Sequence, residues 1–325
     1  MTGRVLWQAE AVCRALRGWS LHEQTWAATG LSADLRKTKR GDLFIAIDEL
    51  PHGGHPSVAA AFIAGAAAAV VSRQPKHVPP QAPLIFVEDA AAALRELARA
   101  ARRRTKSKII AVSGTAARAS VARMLRLALG AVGKTCVFDS AEEGTWGLPL
   151  ALAALPLEAD YGIFGVDSGF SSAAVMELID PDIAVLADAG DLFAAKELLK
   201  GINPRASLIV NRDDERALGV FAKSRGTKKV LSFSESAKTD AYLSNCALAG
   251  KEYIVNAVIL GKKINYMMNL SSLKEVPYSL AAMLAAVEAS GKGDECAAAL
   301  LGYGATPSGK QNKGASAPEN KKNIN

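Results

Sequence analysis

Short apolar runs alternate with stretches of helical period along most of this chain. That rhythm constrains the fold most, because strands joined through helices lie parallel and both faces of their sheet become covered. Residues 5–17 place Leu6, Ala9, Val12, Cys13 and Leu16 at helical spacing. Residues 41–47 read as a turn and a buried strand, 56–65 as a helix, 67–72 and 84–87 as strands, and 90–103 as a helix. A second series starts with a strand at 108–112, passes through Ser113-Gly114-Thr115 and enters a helix over 119–129. Further strands are expected at 161–166, 183–187, 206–210 and 230–233, with helices at 194–199, 214–223, 280–289 and 295–301. Between residues 240 and 270 the runs 253–260 and 263–268 look strand-like, and Gly261-Lys262 makes a hairpin turn between them. The expected class is α/β: a small N-terminal α/β domain over residues 1–105, then a mainly parallel domain over 106–304. Residues 305–325 are rich in Gly, Ser, Pro, Asn and Lys, which predicts a disordered basic tail.

With 325 residues, half of them hydrophobic and 22% charged, the chain can bury two cores and is not disordered throughout. The net charge is +7. The tail holds part of it in Lys310, Lys313, Lys321 and Lys322, and another part lies in Arg99, Arg102, Arg103, Arg104, Lys106 and Lys108. That run has no interleaved aromatics for stacking bases, so it reads as a solvated helix end, and no nucleic-acid partner is expected. Four cysteines lie far apart with no CxxC pair, which argues for reduced thiols. The longest apolar stretches are too short to span a bilayer. The opening residues carry no signal-peptide pattern, so the expected location is cytoplasmic.

The strongest local signal is Val112-Ser113-Gly114-Thr115-Ala116-Ala117-Arg118-Ala119-Ser120, where an apolar strand meets a helix. Backbone N–H groups and the positive helix end converge there, which suits a phosphate. A working phosphate loop also needs glycine, lysine and then serine or threonine for magnesium. Ala117, Arg118 and Ala119 stand in those places. Arg118 keeps a charge in a larger side chain, and Ala119 has no oxygen for a metal.

The chain resembles the Mur ligase family, ATP-dependent enzymes that join amino acids to the UDP-muramoyl precursor of peptidoglycan. Its likeness is greatest to the branch that adds D-alanyl-D-alanine to the muramoyl-tripeptide. The resemblance rests on Leu6-Trp7-Gln8-Ala9-Glu10, Asp34-Leu35-Arg36, Gly41-Asp42-Leu43-Phe44-Ile45-Ala46, Gly54-His55, Gly114-Thr115, Gly147-Leu148-Pro149, Pro181–Val185 and Asn211-Arg212-Asp213-Asp214, in family order, to about residue 310. It implies a UDP-sugar-binding-like domain carrying Asp34, Arg36, Gly54 and His55, then an ATP-binding-like P-loop domain. In that domain it implies a degenerate phosphate loop over Gly114, Thr115, Ala117, Arg118, Ala119 and Ser120, and a base region at Asn211, Asp214 and Ser279. Lys196 matches the family's carbamylated, metal-binding lysine.

The departures from the family pattern carry the functional expectation. The family's magnesium-binding glutamate falls at Gly165, with Asp167 as a conceivable metal ligand one strand position further along the same face. Glu143-Gly144 replaces an asparagine pair, a histidine after Pro181–Val185 is missing, and the family's third domain has only the short tail in its place. The family reaction forms an acyl phosphate, whose negative charge must be neutralised. Losing one such group costs on the order of 3 kcal/mol, a few hundredfold in rate. The expectation is a catalytically inactive pseudo-ligase that binds a UDP-muramoyl precursor or a cell-wall synthesis protein, with no certain cofactor. The alternatives are a divergent ATP- and magnesium-dependent ligase completed by a second polypeptide, with Lys196 catalytic, and a non-catalytic structural α/β protein.

Overall fold

The computed structural model describes residues 4–20, 25–139, 144–166, 173–188, 190, 192–221 and 229–304. Strand β1 (Trp7–Gln8) pairs antiparallel with β2 (Ala27–Ala28), and helix α1 (Ala9–Leu16) follows β1 directly. Next come β3 (Gly30–Ser32), β4 (Asp42–Ile45), α2 (Val58–Ile63), β5 (Ala68–Val71), β6 (Leu84–Phe86) and α3 (Ala90–Arg104). The second series runs β7 (Lys108–Ser113), α4 (Ala117–Gly130), β8 (Thr135–Asp139), α5 (Gly144–Ala153), β9 (Tyr161–Val166), α6 (Ala173–Ile179), β10 (Ile183–Leu186), α7 (Leu192–Lys200), β11 (Ser207–Asn211) and α8 (Glu215–Phe221). It ends with β12 (Lys229–Ser234), β13 (Ala241–Ala249), β14 (Glu252–Ile259), β15 (Lys262–Met268), α9 (Val276–Ser290) and α10 (Gly293–Ala299).

Strands β3-β4-β5-β6 form a small parallel sheet. The large sheet has the order β15-β14-β13-β12-β11-β10-β7-β9-β8, parallel from β8 through β13 and antiparallel over the last three strands. The fold is therefore α/β, with a mixed, mainly parallel large sheet. Strand periodicity explains how that sheet is covered. Ile109 and Ala111 face one apolar cluster with Leu148, Leu152, Met176 and Leu198, while Ile110 and Val112 face the other with Leu125, Leu280 and Leu284. Helices α5, α6 and α7 thus cover one side, and α4, α9 and α10 the other.

Helix α3 joins the two sheets. Asp89 caps it by accepting from Ala91 N–H at 2.8 Å, and Leu94, Leu97, Ala98 and Ala101 bury its apolar face. That face packs in the same cluster as α5 and the large sheet. The basic run at its end is not simply a solvated helix end. Arg102 donates from Nε to the Asp180 carbonyl at 2.8 Å and pairs with Asp182. Arg104 donates to the Leu6 carbonyl at 2.8 Å and stacks 3.5 Å from the Trp7 ring. These contacts tie α3 to the first strand and to the loop before β10.

The N-terminal helix is shorter than its spacing suggests, because Trp7 is buried in β1 and its indole N–H donates to the Ala153 carbonyl at 2.9 Å. The proposed tail, Asp167 and Glu143 lie outside the described residues. No helix among the described residues is long and apolar enough to cross a membrane.

Candidate functional site

The strand–helix junction at the end of β7 has the geometry of an anion seat. Gly114 takes φ +146°, a conformation that side-chain-bearing residues avoid, and turns the chain into α4. Helix α4 begins at Ala117, two residues earlier than its sequence suggests, so Ala117 is its first residue. A carboxylate already sits at the converging donors. Asp188, in the loop after β10, accepts from Thr115 N–H at 2.8 Å, Thr115 Oγ1–H at 2.9 Å and Ala117 N–H at 3.0 Å. The two loops are packed tightly together. Ala187 N–H donates to the Ser113 carbonyl at 3.0 Å, and a Cβ added at Gly190 would lie 2.6 Å from Thr115 Cγ2. Arg216 Nη1 in turn donates to the Gly190 carbonyl at 3.3 Å.

The rest of the loop faces inward or offers no oxygen. Ala117 is fully buried, Arg118 half-buried, and Ala119 exposed without a hydroxyl. Ser120 is buried and donates from Oγ to Glu275 Oε1 at 3.2 Å. The Tyr303 hydroxyl donates to the same oxygen at 3.1 Å, while Ser271 N–H and Oγ–H donate to the other carboxylate oxygen. A negative carboxylate therefore stands where Ser120 would meet a phosphate or metal. ATP with magnesium, the group the family resemblance implies, does not fit these residues as they stand. The Thr115 and Ala117 amides are engaged by Asp188, and no group of three His, Cys, Asp or Glu side chains among the described residues is placed to hold a metal.

The other residues named for the nucleotide side are scattered. Asn211 Oδ1 accepts from Asp213 N–H at 2.9 Å in a local turn, and Asp214 Oδ1 accepts from Arg216 N–H at 3.0 Å as the cap of α8. Ser279 has no exposed surface. Its hydroxyl donates to the Val276 carbonyl at 2.7 Å and accepts from the Tyr266 hydroxyl at 2.8 Å. Lys196 is half-buried on α7, and Gly165 lies in β9 opposite Val112.

The N-terminal residues divide in two. Asp34 and Arg36 line a cleft of about 600 Å³ between the small-sheet region and α5. Lys37 and Leu50 stand on the first side, and Phe138 and Trp146 on the other. Asp34 caps the turn Leu35–Lys37 and receives Arg36 Nη2 at 2.6 Å. The hydrogen bond from the Arg36 side chain holds the Asp34 carboxyl down at about 2. Phe138 stacks on Phe164 at 5.1 Å, and the Arg95 guanidinium lies 4.8 Å from the Trp146 ring, so both aromatic walls are braced from behind.

Gly54 and His55 serve the fold instead. The His55 ring is buried, its Nε2 accepting from Ser72 N–H at 2.9 Å and from Arg73 N–H at 3.2 Å. The proton therefore sits on Nδ1, which donates to Asp48 Oδ1 at 3.0 Å. Burial pushes the Asp48 carboxyl up, but the hydrogen bonds from His55 and Arg73 outweigh it and hold the group well below the usual carboxylate range. Gly54, at φ +72°, lets the chain pass against Asp48, where a Cβ would meet Oδ1 at 2.4 Å.

Two features of the site were not visible as such in the sequence. Asp188 had no motif to mark it. Its signal is positional: Leu186 pairs with Ser113 on adjacent parallel strands, so the residues two further along, Asp188 and Thr115, emerge side by side. Trp146, next to Gly147, packs against the core cluster and also forms a wall of the cleft.

No family model matches the chain. Among curated proteins it is similar to the UDP-N-acetylmuramoyl-tripeptide–D-alanyl-D-alanine ligase of Bacillus subtilis, 28% identical over 174 residues, covering 52% of this chain and 37% of that protein. The enzyme of the same name from Escherichia coli is 27% identical over 221 residues, covering 64% and 48%. The chain spans about half the length of the curated relatives it matches. Among solved structures, MurF from Acinetobacter baumannii superposes with a TM-score of 0.78 at 19% identity, over 93% of this chain and 69% of that one. MurF ligase from Thermotoga maritima, in complex with ADP, gives 0.67 at 15% identity, over 82% and 65%. At these identities the superpositions establish the fold, and the curated relatives add homology in sequence. Together they show a chain with the α/β fold of those MurF structures and a low-identity likeness in sequence to the D-alanyl-D-alanine ligases named above.

Proposed function

We propose that this chain is a non-catalytic, cytoplasmic Mur-ligase homologue that binds a UDP-muramoyl precursor of peptidoglycan in the cleft between the small sheet and α5. The observation that carries the reading is the composition of that cleft. One side presents Arg36 and Lys37 beside Asp34, and the other presents Phe138 and Trp146. A nucleotide sugar needs both: cations for the diphosphate and flat apolar walls for rings. A volume of about 600 Å³ is of the size that holds such a ligand in large part.

The non-catalytic half of the reading is supported by the phosphate loop. Acyl-phosphate chemistry brings a carboxylate against a triphosphate, and only cations and aligned donors make that approach tolerable. Asp188 and Glu275 bring negative charge to that region, and Ala119 removes the metal-binding hydroxyl.

Titration calorimetry with UDP-muramoyl-tripeptide tests the binding half. Heat of binding that vanishes in Arg36→Ala and Trp146→Ala is expected, and no heat in the native protein would end the proposal. Phosphate release from Mg-ATP tests the other half. A precursor-dependent rate would favour the divergent ligase, in which Lys196 is catalytic.

A further inference from the structure

We propose that Asp188 is an autoinhibitory side chain, an internal anion that fills the phosphate seat of its own chain and closes it to nucleotide. The inference deepens the non-catalytic reading and rests on it only in taking the seat to be unused for turnover. Three donors converge on one carboxylate: Thr115 N–H and hydroxyl on Oδ1, and Ala117 N–H on Oδ2. Two of them are backbone amides, Thr115 in the turn and Ala117 as the first residue of a 14-residue helix, where a phosphate would also be drawn. Hydrogen bonds to an ionised acceptor are the strong ones, so a tethered carboxylate in this place outcompetes dilute anions.

The fit around the carboxylate supports a built contact. A Cβ at Gly114 would lie 3.0 Å from Asp188 Oδ2, so the absence of a side chain there lets the carboxylate approach. Gly190 does the same on the other side, where Thr115 leaves no room for a Cβ. Arg216 donates to the Gly190 carbonyl, two residues beyond Asp188. The seat is therefore occupied by the Asp188 carboxylate itself. The consequence for ligands is quantitative. A seat open about a tenth of the time or less weakens apparent affinity about tenfold or more.

The test uses the full chain and inorganic pyrophosphate with and without magnesium, followed by calorimetry and by amide NMR. Native protein is expected to show no binding at millimolar pyrophosphate and no shift of the Thr115 and Ala117 amides. Asp188→Ala is expected to bind at least about tenfold more tightly than native, with those two amides shifting, because the competitor is gone. Asp188→Asn, which keeps one acceptor oxygen and the size of the side chain, is expected to fall between them. Pyrophosphate binding by the native protein as tight as by the variants would overturn the proposal. So would two folded variants that bind no better than native. If neither variant folds, the native protein decides alone: pyrophosphate shifts at Thr115 and Ala117 overturn the proposal, and slowly exchanging, unshifted amides there support it. Precursor binding in the cleft is read with a different ligand, so its failure would leave this result standing.

Discussion

Asp34 owes its low pKa to a neighbour only two residues away. Arg36 reaches back over the turn and donates to both carboxylate oxygens. The folded carboxyl titrates at about 2, below the ordinary value of about 3.9. Its contribution to stability is therefore complete above about pH 4 and is lost as pH falls through about 2. Arg36 is largely exposed, so the effect on stability is small, but the titration itself is readable. In Arg36→Ala the Asp34 carboxyl is expected to titrate close to its ordinary value, followed by carbon NMR across the acid range. His55 carries a larger stake because it is buried. Replacing it by alanine strands the Ser72 and Arg73 amides and removes a donor to Asp48. A loss of about 1–3 kcal/mol is expected, measured by urea unfolding, since removing the one part-buried acceptor that both amides share costs about that much. At this scale the sequence marked residues that are close along the chain, though Gly54-His55, marked as a ligand motif, is engaged in bonds within the fold. Asp34 and Arg36 lie two residues apart and could be paired on sight. Asp188 and Thr115 are 73 residues apart, and only the parallel pairing of β10 with β7 brings them together.

Elements that bury one regular face could be read from spacing, and those shaped by their neighbours could not. Helix α3 shows the first case. Its alanines and leucines recur on one side, and Leu94 and Leu97 have no exposed surface. Leu97→Ala is expected to cost about 2–5 kcal/mol in urea unfolding, as large-to-small changes in a packed core do. Ile63 on α2 is the internal control. It is 88% exposed, and Ile63→Ala is expected to stay within about 0.5 kcal/mol of native. Helix α5 shows the second case. It contains Gly147 and Pro149, both breakers, and forms because Leu148 and Leu152 pack against α3 and the sheet. Strands β8 and β13 were hidden for a related reason. The pattern of β13 is mixed, with most of its residues exposed or half-buried, and it takes its place by pairing with β14 along nearly its whole length.

At the scale of the molecule, the cleft exists because the small-sheet region is fastened to the large sheet. The apolar cluster of α3 and α5 runs through both, Trp7 reaches the Ala153 carbonyl, and Arg102 holds the carbonyl of Asp180. A ligand seated between Arg36 and Trp146 would contact both regions and bind only their folded arrangement. Linkage then sets the size of the response: free precursor at a hundred times its dissociation constant adds about 2.7 kcal/mol of stability. For a chain of this length that corresponds to a rise in melting temperature on the order of 5 °C. A thermal scan with and without UDP-muramoyl-tripeptide measures it. Arg36→Ala and Trp146→Ala are both expected to abolish the rise; the unliganded melting temperature is expected to stay close to native in Arg36→Ala, whose side chain is largely exposed, and to fall in Trp146→Ala, because Trp146 also packs against the core cluster. Asp188→Ala is expected to keep the rise in full, since Asp188 belongs to the phosphate seat and not to the cleft wall. A rise that survived in the two cleft variants would move the ligand to another surface. A rise lost in the Asp188 variant would mean that the seat and the cleft act as one site.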